Sequence, residues 1–169
     1  MKNLVFAAIA ATATLSACST VSSIMQNTFP YTANVLVTSG SPVNVQLSGI
    51  SAAQSINQLT GAGANVKDVR VSSATMSVDS NTSMSIFKSV KVYLSNSGSN
   101  EVLVASRDAV PDNVGSSLSL DANSTQTLDN MMKSGAVQAH IVYVLKKSPT
   151  SDVSLKTSIS FSSVPITNP

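Results

Sequence analysis

The sequence predicts an all-β domain: an antiparallel β-sandwich of about eight strands with two short connecting helices, or alternatively a closed β-barrel. Three observations lead there. Short runs of Val, Leu and Ile alternate with Ser, Thr and Asn at a period of two, which is what a half-buried strand requires. Clusters of Gly, Pro, Asn, Asp and Ser break these runs at short spacing. No long helical pattern follows a strand, so a parallel doubly wound sheet does not fit. The lack of Trp, with aromatics at 4% of residues, argues against an antibody-type immunoglobulin domain.

The elements follow in order. Residues 19–30 (STVSSIMQNTFP) show no sustained periodicity and read as a tether that Pro30 ends, so that one domain spans 31–169. Tyr31 to Thr38 puts Tyr31, Ala33, Val35 and Val37 on one face. Ser39-Gly40-Ser41-Pro42 turns, and Val43 to Leu47 answers with Val43, Val45 and Leu47. The pair reads as a β-hairpin. From Ser51 the period changes: Ala52, Ala53, Ile56 and Leu59 fall at helical spacing, with Ser51 as cap and Gly61 as stop. Val66 to Val78 and Ile86 to Asn96 are strands in which Val69/Val71 and Val90/Val92 face one way, and Arg70 and Lys91 the other. DSNTS at 79–83 separates them.

Glu101 to Ser106 and Ser116 to Leu120 are shorter strands. A second helix is expected over 122–135, with Leu128, Met131 and Met132 as its apolar stripe, Ser124 as cap and Gly135 past its end. Ala136 to Lys146 and Val153 to Phe161 close the domain.

The start of the chain has another character. Met1-Lys2-Asn3 is a basic head, Leu4 to Leu15 is apolar apart from two threonines, and Ser16-Ala17 are small. That is the layout of a secretory signal. The apolar run is about a dozen residues, whereas a helix needs roughly 20 to span a bilayer. The only cysteine of the chain follows directly. Leu15-Ser16-Ala17-Cys18 resembles the lipobox of bacterial lipoproteins. The resemblance covers residues 1–18 and implies removal of 1–17, a diacylglyceryl group on Cys18 and a tether at 18–30. It also implies that Ser19, standing where Asp would hold the protein in the inner membrane, favours the outer membrane.

Composition limits the chemistry. With one cysteine, no disulfide can form within the chain. Charged residues make up 11%, and loss of Lys2 with the leader lowers the formal net charge from +2 to +1. The basic residues are scattered, without a basic patch interleaved with aromatics, which argues against a nucleic-acid partner. His140 is the only histidine. Alternation sets it with Gln138, Val142 and Val144 on one face of its strand, and Ala139, Ile141 and Tyr143 on the other. Serines are abundant, but no G-x-S-x-G elbow presents one.

One histidine and one cysteine are a poor basis for zinc. Asp79-Ser80-Asn81 and Asp108 with Asp112-Asn113 offer oxygen ligands, but in sequence they look like turns. GAGAN at 61–65 lacks the spacing of a phosphate-binding loop. No cofactor, metal or catalytic residue is therefore expected. Tyr93 and Tyr143 are candidate sugar-stacking residues if exposed, and core residues otherwise. The expected function is that of a lipid-anchored envelope lipoprotein, not an enzyme, with a structural or protein-interaction role toward another envelope protein or a glycan. A carbohydrate-binding module and a hydrolase with an unrecognised serine site are the alternatives.

Overall fold

The computed structural model describes residues 28–55, 66–96, 99–132 and 135–165. Nine strands occupy most of them: β1 (Thr28–Val37), β2 (Gln46–Ile50), β3 (Gln54–Ser55), β4 (Val66–Ser77), β5 (Phe87–Asn96), β6 (Ser99–Arg107), β7 (Ser117–Ala122), β8 (Ala136–Leu145) and β9 (Val153–Pro165). A 3-10 turn at Met84–Ile86 leads into β5, and a single helical turn, α1 (Asp129–Met132), lies between β7 and β8. The fold is all-β, as the period-two runs predict.

The strands form one antiparallel sheet in the order β1-β9-β4-β7-β6-β5-β8-β2, with β3 also on β8. β7 turns the corner, pairing Ser117–Leu120 with β4 and Asp121–Ala122 with β6. At the other side the edge strands β1 and β2 meet without a backbone ladder. Side chains close that seam: Tyr31 Oη lies 3.2 Å from Ser51 Oγ, and the Gln54 side-chain amide donates to the Thr32 carbonyl. The result is a sheet nearly closed into a barrel, between the two architectures expected. Near-closure limits the unpaired edge that an open sheet would expose.

Alternation builds the interior. On β8 every second residue is buried: Val137, Ala139, Ile141, Tyr143 and Leu145. β9 does the same with Val153, Leu155, Thr157, Ile159 and Phe161. Val69, Val71, Val90 and Val92 point inward as expected, and Arg70 outward, where it donates to the Ser124 and Thr125 carbonyls. Bulges between Lys67 and Arg70 and between Val71 and Ser73 then shift β4 against β9, so that Ala74 and Met76 are the next inward residues.

Several local expectations are corrected. The 31–47 hairpin does not form. β1 pairs with β9 and β2 with β8, while Val43 and Val45 stay exposed in the connection. The Ser-Gly-Ser-Pro signal is a real turn, with Gly40 at φ 76°, but it crosses the seam instead of pairing its flanks. β1 starts at Thr28, within the segment expected to be the tether; the rest of that segment lies outside the described residues. Pro30 lies within β1, opposite Ser160, on an edge strand where a missing N–H is tolerated.

The helix expected from Ser51 is absent over 51–55, where Gln54–Ser55 form β3; the rest of it falls outside the described residues. Ser51 caps no helix there. Its Oγ accepts from Ala139 N–H at 3.0 Å. Of the helix expected over 122–135, only α1 is helical among the described residues. Leu128, Met131 and Met132 are buried in the core as their spacing suggested.

The seam gives a first prediction. A Cβ on Gly49 would fall inside the contact distance of Val35 Cγ1, with Val35 Cβ and Cγ2 at 3.4 and 3.5 Å. Gly49→Ala is expected to cost about 1–3 kcal/mol by overpacking. Val35→Ala in the same chain should then cost less than it does alone, which a double-mutant cycle by urea unfolding would read.

A second concerns pH. Burial holds the phenols of Tyr31 and Tyr143 above their ordinary range near 10.0, the Ser51 contact offsetting part of the effect at Tyr31. A group whose folded pKa is raised contributes its stability below the unfolded pKa and loses it as pH rises through the folded one. Stability should therefore hold up to the ordinary phenol range and fall above it. Tyr31→Phe and Tyr143→Phe together should flatten that alkaline limb in a series of melts.

Candidate functional site

The antiparallel register lines up one row on the outside of the sheet. Ile50 on β2 faces His140 on β8, His140 faces Tyr93 on β5, and Tyr93 faces Leu103 on β6. Each lies at an outward position of its strand. Ile50 is well exposed, and His140, Tyr93 and Leu103 are half-buried. Glu101, near the start of β6, reaches across β5 and sets Oε1 2.8 Å from His140 Nδ1. The Tyr93 ring lies tilted beside the imidazole, with centroids 6.1 Å apart and planes at 36°.

This geometry fixes the histidine's bonding. The carboxylate accepts, so Nδ1–H donates to Glu101. The side chains of His140 and Glu101 are 22% and 39% exposed. A pair so open to water contributes at most about 1 kcal/mol. Glu101→Gln should accordingly change stability by less than about 1 kcal/mol in urea titrations, whereas a buried pair would lose several. The row sets an imidazole and a carboxylate beside one aromatic ring, flanked by Ile50 and Leu103.

The two tyrosines part company. Tyr93 is on this outer row. Tyr143 is 5% exposed and packs edge-on against Phe87, at 5.7 Å between centroids and 83° between planes, so it offers no face to a sugar. Cys18 lies outside the described residues. Two of the loop aspartates are engaged by cations: Asp108 with Lys91 at 3.8 Å and Asp112 with Lys146 at 2.6 Å. The Lys146 ammonium holds the Asp112 carboxyl below its ordinary range. Among the described residues no three His, Cys, Asp or Glu side chains come together as a metal site. No helix among them is long and apolar enough to cross a membrane.

Sequence reasoning missed Glu101, Ile50 and Leu103. One signal was present: Glu101 is the only glutamate of the chain and His140 the only histidine. Joining them needs the β6-β5-β8 order, which local pattern does not contain.

No family model matches the sequence, and no curated protein does. A solved chain from Desmodium yellow mottle tymovirus is similar to it at 11% identity, covering 84% of this chain and 90% of its own, with a TM-score of 0.25. A likeness at that level carries no argument about fold or function.

Proposed function

We propose that this protein is a bacterial envelope lipoprotein: a β-domain held at a membrane by lipid on Cys18, with a non-catalytic structural or protein-interaction role. The observation that carries the reading is the leader, in which a basic head, a short apolar run and small residues end at the only cysteine of the chain. Placement in the outer membrane follows from Ser19 after that cysteine. The fold is compatible with such a role. β1 begins ten residues past Cys18, a stretch that spans at most about 36 Å when extended. The domain would therefore stay close to the bilayer surface.

A second reading is favoured by one observation, the half-buried Tyr93 beside His140 and Ile50 on an outer sheet face. Aromatic rings so placed stack on the apolar faces of sugars, and this would make the domain a carbohydrate-binding module. The hydrolase alternative has less to build on, because the groups set against His140 are a glutamate and a tyrosine ring.

Protease treatment of intact cells, read with an antibody to the mature domain, tests the reading. Cleavage before the outer membrane is opened, with a periplasmic control intact, would support a surface role in glycan or partner capture. Protection until the membrane is opened would support a role inside the envelope. Recovery of the domain in the cytosol would contradict the proposal.

A further inference from the structure

The strands run between two ends of the barrel. Thr28, Val66 and Ala136 begin their strands at one end, beside the finishing ends of β5 and β9. Val37, Ser77 and Leu145 finish at the other, beside the starts of β5 and β9. The chain enters the domain at the first end. At the second end the turn before β5 and the β8–β9 connection line an open pocket of about 260 Å³. If Cys18 anchors the chain, this pocket faces away from the membrane; that orientation rests on the lipoprotein reading, whereas the pocket does not.

The lining has a definite chemistry. Among the described residues Lys147 is its only charged lining residue, and Asn81, Thr82, Ser148 and Thr150 carry hydroxyl and amide groups. Ile86 adds half-buried apolar surface, whereas Pro149 and Val153 are buried. The neighbouring Lys146 is already occupied, its Nζ at 2.6 Å from both Val110 O and Asp112 Oδ1. Asp152, next to the lining, accepts from Ser39 N–H at 2.8 Å. Lys147 is exposed and makes no ion pair with a carboxylate among the described residues; Asp112, whose carboxyl its charge also reaches, is paired with Lys146. The pocket is smaller than the roughly 300–1,000 Å³ that drug-sized ligands occupy, so it suits one ring.

From these features we infer that the end of the barrel opposite the chain entry binds a single acidic saccharide ring. Its carboxylate meets Lys147, its hydroxyls meet the Ser, Thr and Asn groups, and its C–H face lies on the apolar surface. A charge-assisted contact fixes the ligand's orientation, and the neutral donors and acceptors select a polyol over a bare anion. This surface is separate from the Tyr93 row.

Calorimetric titration of the full chain in detergent micelles with glucuronate, glucose and acetate tests the inference. Glucuronate should saturate, and glucose and acetate should each bind about tenfold more weakly or not at all. Lys147→Gln, an exposed change, should weaken glucuronate by about tenfold while leaving the thermal midpoint unchanged. Equal binding of glucose or of acetate, absence of saturation by glucuronate, or an unchanged affinity in Lys147→Gln would each overturn it. Such a failure would leave lipidation of Cys18 untouched, because binding in micelles does not depend on which way the domain faces.

Discussion

Replacing Phe87 by alanine is expected to remove about 3–5 kcal/mol from the stability of the domain, the largest loss foreseen for a single side chain here. Phe87 opens β5 and is fully buried, opposite Leu145 of β8 and edge-on to Tyr143. The substitution removes the ring's transfer energy and leaves a cavity that the nearly closed sheet collapses into only in part. Net stabilities of domains lie near 5–15 kcal/mol, so the variant would keep only part of its margin. Urea unfolding should show a large drop in midpoint with an unchanged slope. Tyr143→Phe, which keeps the ring, should lose far less. A Phe87→Ala loss under about 1 kcal/mol would mean that the core is not packed around this contact.

The second large effect is on location. Cys18→Ser removes the thiol that would carry the diacylglyceryl group. Each buried CH₂ contributes about 0.8 kcal/mol to anchoring, and two or more chains are needed for a stable hold. Nearly all of the membrane association should therefore be lost, with the domain otherwise folded, since residue 18 precedes β1 by ten positions. Fractionation of cells carrying each form would read this directly. A serine variant that stays with the membrane as tightly as the parent would contradict lipid anchoring.

These two effects rest on different parts of the chain, and the sequence exposes them unequally. The strands were legible because burial on one face imposes a period of two, and β8 keeps it without interruption. Their partners were not. The 31–47 hairpin looked right because a Ser-Gly-Ser-Pro turn joins two alternating runs, yet each run finds a longer partner elsewhere: β1 pairs with β9 over ten residues. The turn instead crosses the place where the sheet almost closes.

The helices failed for a related reason. Ala52, Ala53, Ile56 and Leu59 have helical spacing, but Ser51 is held by Ala139 and Tyr31, and β3 extends along β8. In the second, Arg70 engages the carbonyls of Ser124 and Thr125, and the Asp129 carboxylate accepts from Val69 N–H. Contacts to β4 thus hold the first half open and leave one helical turn. Helical propensity is a weak local term that such contacts override.

At the outer row, alternation predicted the face of His140 but not its company. Glu101 lies 39 positions away in sequence, and reaching it depends on register across three strands. Tyr93 and Tyr143 looked equivalent as strand tyrosines. They face opposite ways because each strand's alternation runs in its own phase, and only the pairing of β5 with β8 shows which phase is inward.

The most direct test of the central claim is the mass of the N-terminal peptide of the mature protein from a membrane fraction. Lipid anchoring predicts a chain that begins at Cys18, with a diacylglyceryl group on the sulfur and an acyl chain on the new amine. A mature chain in which Ala17 is still joined to Cys18, or one that begins with an unmodified Cys18, would contradict it.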